Sequence, residues 1–329
     1  MKKLISIAIS LTILIIIYWK IDFPRLIEVF QNSDKLWMTI SLGMVVPLTM
    51  LTAWRLQQLT PSRTRLGFGE ANRLILTASV LNMVLPSKMG DIVKAYFIKE
   101  RGHLEGSLSL SLVVFEKACD MLSLLLWCAF GLTLYPQKDW LFWIMTACVI
   151  SGLIIGLLLI ASRQFANLIF QFTGRIAPRK IRSKIAKLRD SWNEMHKYFW
   201  RDKRHLLKIA LTSIIIWFGH LLQIWFFTFA LKQAVPLLAH LALAPLAILA
   251  GLLPLTFAGV GTRDAALIAF YQPYMNAPTA AALGLLCTSR YLLPALGGLP
   301  FLGQYLTKFK QIRNGNELGK REQEVGNRE

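Results

Sequence analysis

Negative charge is scarce in this chain, and so is charge of either sign. Asp and Glu together number 18 against 37 Lys and Arg, charged residues make up only 17% of the sequence, and the formal net charge is +19. A chain of 329 residues that is 55% hydrophobic, with a mean hydropathy of +0.48, cannot clothe a soluble surface with so few ionised groups. Cysteine is limited to Cys119, Cys128, Cys148 and Cys287, none in CxxC spacing, which excludes a disulfide framework and a thiolate metal site. The five histidines are scattered, without an HExxH or comparable pair, so neither a metal nor another cofactor is expected. Nothing resembles a nucleophile with its base, which makes an enzyme the weakest reading. Residues Gly315 to Arg321 fall one residue short of a phosphate loop and lack its Ser or Thr, so ATP-driven pumping is not supported either.

What is present is a series of long apolar runs, at residues 4–19, 36–57, 107–134, 140–161, 206–231 and 278–302. Runs of this length are the usual mark of membrane-spanning helices. The first follows Met1, Lys2 and Lys3 but ends at Tyr18, Trp19 and Lys20, an aromatic boundary rather than a small-residue cleavage site, and reads as a retained span.

Positive charge sets the sides. The loop at residues 20–35 is nearly balanced, whereas Arg55, Arg63, Arg65 and Arg73 follow the second run against Glu70 alone. Residues 162–208 hold thirteen Lys and Arg against three Asp and Glu. The positive-inside rule makes both basic segments cytoplasmic, together with the N-terminus and a basic tail at 306–329, in a multi-pass cell-membrane protein. Within the larger segment, Ile181, Ile185, Leu188, Trp192, Met195 and Phe199 recur at spacings of four and three. That pattern predicts an amphipathic helix on the inner leaflet, with anionic lipid as partner around 175–204. Charge concentrated in one such segment and the tail argues against nucleic-acid binding.

Two further apolar stretches are broken. Leu85, Pro86, Ser87, Lys88, Met89, Gly90 and Asp91 interrupt residues 74–97, and Pro254, Thr256, Gly259, Gly261, Arg263 and Asp264 interrupt residues 237–271. Proline and glycine stop a helix, and backbone freed in this way at membrane depth persists only where protein or a wet cavity satisfies it. The prolines Pro86 and Pro254 lie 168 residues apart, and the same shift moves residues 36–59 onto 204–227 and 107–134 onto 275–302, all largely apolar. A shared offset carried by a break and both its flanks predicts an internal repeat. The expected fold is an all-α polytopic membrane protein with about six full spans and two broken or re-entrant helical hairpins, 70–98 and 237–272. The first half, 1–134, and the second, 135–305, form an inverted repeat, because an odd number of spans per half turns the second upside down.

Charges inside this apolar setting mark the candidate site. Glu116 and Asp120 lie one turn apart in the middle of a run, where an ion costs at least about 2.5 kcal/mol and needs a partner or a cavity. The partners on offer are Lys88, Lys94, Lys117, Arg263 and Arg290, set against Asp91, Glu116, Asp120 and Asp264. Five cations against four anions leave one cation for an anionic group.

At these residues the sequence resembles the flippase-like, UPF0104-type membrane proteins related to the membrane domain of lysylphosphatidylglycerol synthase. The resemblance rests on three ordered motifs: Asn82 to Asp91, with its Leu-Pro and Gly-acid pairs; Glu116, Lys117 and Asp120; and Pro254 to Asp264, with Gly259, Gly261 and Arg263. Asp91 and Asp264 stand where the family commonly has glutamate, which keeps the charge and shortens the reach. The resemblance implies movement of a phospholipid or lipid-linked head group between leaflets, without lysyl transfer, since no soluble transferase domain follows the last span here. Lys88, Arg263 and Arg290 would meet an anionic head group with Ser87 and Thr256 beside them, and the four carboxylates would balance these cations, relay protons or accept a cationic head group. The alternative is a non-transporting scaffold for an envelope-biosynthesis enzyme; a homo-oligomer is compatible with either.

Overall fold

The computed structural model describes residues 23–61, 66–84, 90–102, 106–135, 138–252 and 261–326, and all regular structure among them is helical. The run at 4–19 and the central residues of both breaks, 85–89 and 253–260, lie outside the described residues.

A short helix, α1 (Phe23–Gln31), leads to Asp34, whose carboxylate accepts from the backbone of Leu36 and Trp37 at 2.9 and 3.0 Å and so starts α2 (Lys35–Gly43). Met44 separates α2 from α3 (Val45–Leu59), and Pro47, without a backbone donor, follows within that first turn. The limbs of the first broken segment are α4 (Phe68–Val84) and α5 (Gly90–Gly102). The long α6 (Gly106–Leu134) carries Glu116, Lys117 and Asp120 in its first half. An Asp139 cap starts α7 (Trp140–Ala161), apolar all round and turning Trp143, Ile144, Ile154 and Leu157 outward. The basic segment forms α8 (Arg163–Ile176) and α9 (Arg179–Phe199), after which Asp202 caps α10 (Lys203–Ala230). The limbs of the second broken segment are α11 (Leu237–Gly251) and α12 (Thr262–Tyr271); α13 (Ala277–Gly326) then runs on well past residue 302, through Pro294 and Pro300.

Four stretches are long and apolar enough to cross a membrane by length and composition: Lys35–Leu59, Phe142–Ala161, Lys203–Ala230 and Ala277–Gly303. The 29 residues of α6 also exceed the thickness of a hydrocarbon layer, roughly 30 Å at about 1.5 Å per residue. The limbs of the breaks do not: 17 and 13 residues in α4 and α5, and 15 and 10 in α11 and α12, each give at most about 25 Å.

A shift of 168 residues lays α4 onto α11, α5 onto α12 and α6 onto the first part of α13. Packing follows the same exchange. The first limb in each half packs against the long helix of the other half, α4 on α13 and α6 on α11. Both contacts are close enough to require glycine. A Cβ on Gly298 would fall 2.2 Å from the Leu76 carbonyl oxygen, and one on Gly131 would fall 2.8 Å from that of Ala242. Small residues are what let helix backbones meet in a membrane.

Two apolar cores result. One gathers the second halves of α6 and α10 with α7, α11, α12 and the start of α13; the other gathers α3, α4, α5 and the first half of α6 with α8 and α9. Along α6 the second of these cores ends at Cys119 and the first begins at Leu124, so Asp120 sits at the seam between them, one turn after Glu116.

The amphipathic helix departs from its expected environment. Trp192, Met195 and Phe199 of α9 are buried within the protein, Phe199 stacks on Phe115 of α6 with ring centres 3.9 Å apart, and the Trp192 indole donates to the Leu159 carbonyl at 3.0 Å. This half of the apolar stripe is occupied by α6 and the end of α7, so the leaflet does not receive it. The outward apolar stripe of the segment lies instead on α8, where Leu168, Phe172 and Ile176 are exposed at spacings of four.

Candidate functional site

Arg55 comes from the last turns of α3 and is 2% exposed. Its Nη1 lies 2.6 Å from Asp120 Oδ1 and donates to the Ser213 hydroxyl of α10 at 2.8 Å, while Nη2 lies 3.1 Å from Glu116 Oε1. The other oxygen of Glu116 accepts from the Lys94 ammonium of α5. Lys94 Nζ is also 3.7 Å from Asp91 Oδ1; Asp91 Oδ2 is 3.4 Å from Lys117 Nζ; and Lys117 Nζ is 3.7 Å from Asp120 Oδ2, which returns to Arg55. These six residues form a closed ring of alternating charge: Arg55, Glu116, Lys94, Asp91, Lys117, Asp120.

Three cations and three anions make the ring neutral, the condition under which ions survive among apolar helices. Its two sides differ. The side chains of Arg55, Lys94 and Glu116 are 1–2% exposed, whereas Asp91, Asp120 and Lys117 are 13%, 21% and 46% exposed. The long contacts are those of Asp91 and Lys117, at 3.4–3.7 Å, whereas Asp120 is tied back to the dry side by its 2.6 Å contact with Arg55.

The second half builds something different. Gly261 has a φ of 104°, a left-handed conformation that glycine adopts without a Cβ clash, and it starts α12. Its N–H donates to Asp264 Oδ2 at 3.0 Å. Asp264 Oδ1 accepts from Arg263 Nε and Nη2 at 3.0 and 2.7 Å, and Nη2 further donates to the Gly284 carbonyl and the Thr288 hydroxyl at 3.0 and 2.8 Å. Arg263 and Asp264, each about 5% exposed, are thus bound to each other and to α13.

Of the residues marked by the sequence, the structure therefore brings Asp91, Lys94, Glu116, Lys117 and Asp120 together. It does not bring Arg263 and Asp264 into the same network, so the pooled set of five cations and four anions does not form as one cluster. Arg290 of α13 is 8% exposed and makes no ion pair among the described residues. Asn82 packs at the mouth of the first hairpin: a Cβ on Gly90 would fall 2.7 Å from Asn82 Oδ1 and 2.5 Å from the Ala78 carbonyl, so Gly90 is what lets α5 start this close to α4. Pro86, Ser87, Lys88, Pro254, Thr256 and Gly259 lie outside the described residues.

Arg55 is the ring member that the sequence reading assigned elsewhere, to a cytoplasmic loop. The clue was its place inside the apolar run at 36–57, with Leu56 and Leu59 beyond it; a cation flanked in this way belongs with the intramembrane set. Ser213 had no comparable mark, since one serine in an apolar helix is ordinary. Among the described residues no group of three or more His, Cys, Asp or Glu is placed to hold a metal ion.

The sequence signature described as lysylphosphatidylglycerol synthase TM region matches residues 3–298. A UPF0104 membrane protein from Methanocaldococcus jannaschii is 22% identical over 321 residues, covering 90% of this chain and 93% of its own length. With a match across nearly its whole length, the chain belongs to the family of the lysylphosphatidylglycerol synthase transmembrane region.

Proposed function

We propose that this protein is a lipid transporter that passes the head group of a phospholipid or lipid-linked substrate between leaflets through the seam where the alternating-charge ring sits. The ring carries the reading. A bundle that needed ions only to hold its helices together would bury them all, because access to water weakens the pairing. Here Arg55, Glu116 and Lys94 are dry, while Asp91, Lys117 and Asp120 reach water and Lys117, the most exposed, is held only by contacts of 3.4 and 3.7 Å; Asp120 stays anchored to Arg55 at 2.6 Å. A polar head group entering that side exchanges ion pairs with Lys117 and the two aspartates, while Arg55, Glu116 and Lys94 keep the frame.

The inverted-repeat reading supplies the movement. Limbs too short to span, in α4 with α5 and α11 with α12, fit re-entrant hairpins, one from each side of the membrane. The reciprocal α4–α13 and α6–α11 contacts fit two halves related by a two-fold axis in the membrane plane. Rocking of one half about these glycine-mediated contacts gives alternating access. With the basic helices α8 and α9 on the cytoplasmic side of the cell membrane, both termini are cytoplasmic.

The test is leaflet-resolved transport by the full chain in proteoliposomes, with a panel of dithionite-accessible phospholipids and polyprenyl phosphates and Lys117→Gln as the control variant. Transport of at least one lipid, lost in the variant while the protein remains folded, is the expected result. No movement of any lipid by folded protein overturns the reading and favours a scaffold.

A further inference from the structure

Arg290 is an arginine without a counter-ion. Its residue is 8% exposed, its Nε is buried with no hydrogen-bond partner, and no carboxylate among the described residues pairs with it. Its other contacts are uncharged: a side-chain hydrogen bond with the Cys287 thiol, one turn earlier on α13, and the Tyr291 ring, whose centre lies 5.8 Å from the guanidinium carbon. Among the described residues, the other cations of the candidate set and the ring, Arg55, Lys94, Lys117 and Arg263, are already matched by carboxylate.

A buried, unpaired guanidinium costs several kcal/mol, a cost that a resident protein anion or a ligand anion offsets. Since the protein supplies no such anion among its described residues, the geometry points to a ligand: we infer that Arg290 receives a singly charged oxyanion of the phosphodiester class. A planar fork of donors suits two phosphate oxygens. This rests on the transport reading and sharpens it, because it divides the work. The ring exchanges partners at its wet arc, and Arg290, two residues beyond the Thr288 that binds Arg263, takes the phosphate. The same chemistry fits a lipid phosphodiester and free phosphate.

The experiment is thermal melting of the full chain in neutral maltoside detergent, titrated separately with a short-chain phosphatidylglycerol, the matching diacylglycerol and inorganic phosphate. Stabilisation by phosphatidylglycerol but not by diacylglycerol is expected in the wild type, with the midpoint raised at least about tenfold in Arg290→Gln and largely retained in Arg290→Lys. Without ligand, Arg290→Gln should melt no lower than the wild type, because it removes an uncompensated charge. A response to inorganic phosphate at the same midpoint, equally lost in Arg290→Gln, keeps the oxyanion site and assigns it to the free ion. Equal midpoints in wild type and Arg290→Gln overturn the inference, as does a wild type without any response whose Arg290→Gln variant melts earlier. Arg290-dependent binding by a protein that moves no lipid would leave this site standing and remove the transport reading; lipid movement unaffected by Arg290→Gln would do the reverse.

Discussion

The two halves of the chain share a packing plan and differ in what they bury at matching places. Shifted by 168 residues, Arg55 falls on Gln223, Glu116 on Gly284 and Asp120 on Thr288. Gln223 is fully buried like Arg55, but it spends its amide on the Ser41 carbonyl at 2.8 Å rather than on a carboxylate. Gly284 and Thr288 receive the Arg263 side chain through a carbonyl and a hydroxyl where the first half has two ionised groups. Helix packing is thus retained on both sides while ionisation at these three positions is confined to one. Buried ions contribute little net stability even when paired, so a set of them kept in one half only is better explained by work than by folding.

The largest expected effect comes from breaking the dry arc. Glu116→Ala leaves Arg55 and Lys94, both buried, without the carboxylate that joins them, and should destabilise the protein by about 3–5 kcal/mol. Thr288→Ala, at the matching place in the other half, removes one hydroxyl bond and should cost about 1 kcal/mol. Melting of the two variants in one detergent checks this; equal losses would mean that the halves carry equivalent loads.

Next comes the coupling within the ring. Arg55→Gln places in the first half the residue type found at the matching position of the second. Alone it leaves Glu116 with Lys94 only and Asp120 with Lys117 only; combined with Glu116→Gln it removes a matched pair. The double variant should be more stable than the sum of the two single changes by at least about 1 kcal/mol, a double-mutant cycle that additive behaviour would contradict.

Much of this was legible beforehand. Four of the six expected spans, and the helix ends on either side of both breaks, follow from hydropathy and proline, because a bilayer leaves few other ways to read 20 apolar residues. Five ring members were found because charge in an apolar helix is conspicuous. The sixth, Arg55, was lost because the rule that assigns cations to cytoplasmic loops works by position along the chain and knows nothing of which helix leans against which. The reversal between α8 and α9 has a similar cause: periodicity shows that α9 has an apolar face, but only tertiary packing shows that α6 and α7 cover it. The separation of Arg263 and Asp264 from the ring was hidden for another reason, since a residue and its neighbour pairing around a helix start leaves no spacing pattern.

A smaller effect tests the symmetry of packing. Gly131→Ala and Gly298→Ala each push a Cβ into the backbone of the opposing half and should each cost about 1–3 kcal/mol, by the same mechanism at reciprocal contacts. Gly43→Ala, where nothing lies within 4 Å, is the control and should be neutral or slightly stabilising. A loss at one contact only would show that the halves grip each other unequally.

The smallest effect on stability is the most informative about the ring's two arcs. Lys117 is nearly half exposed, and its contacts, at 3.4 and 3.7 Å, are the loosest side of the ring. Solvent already screens much of its pairing, so Lys117→Gln should cost no more than about 1 kcal/mol. Asp91 and Asp120 keep Lys94 and Arg55 as partners, and the dry arc is untouched. If Lys117 is the group that the head group displaces, the same change should reduce the transport rate far more than the melting temperature, and Lys117→Arg should restore part of it. A variant that loses stability and transport in proportion would place Lys117 with Glu116 as part of the frame, and the division of the ring into a holding arc and an exchanging arc would fail.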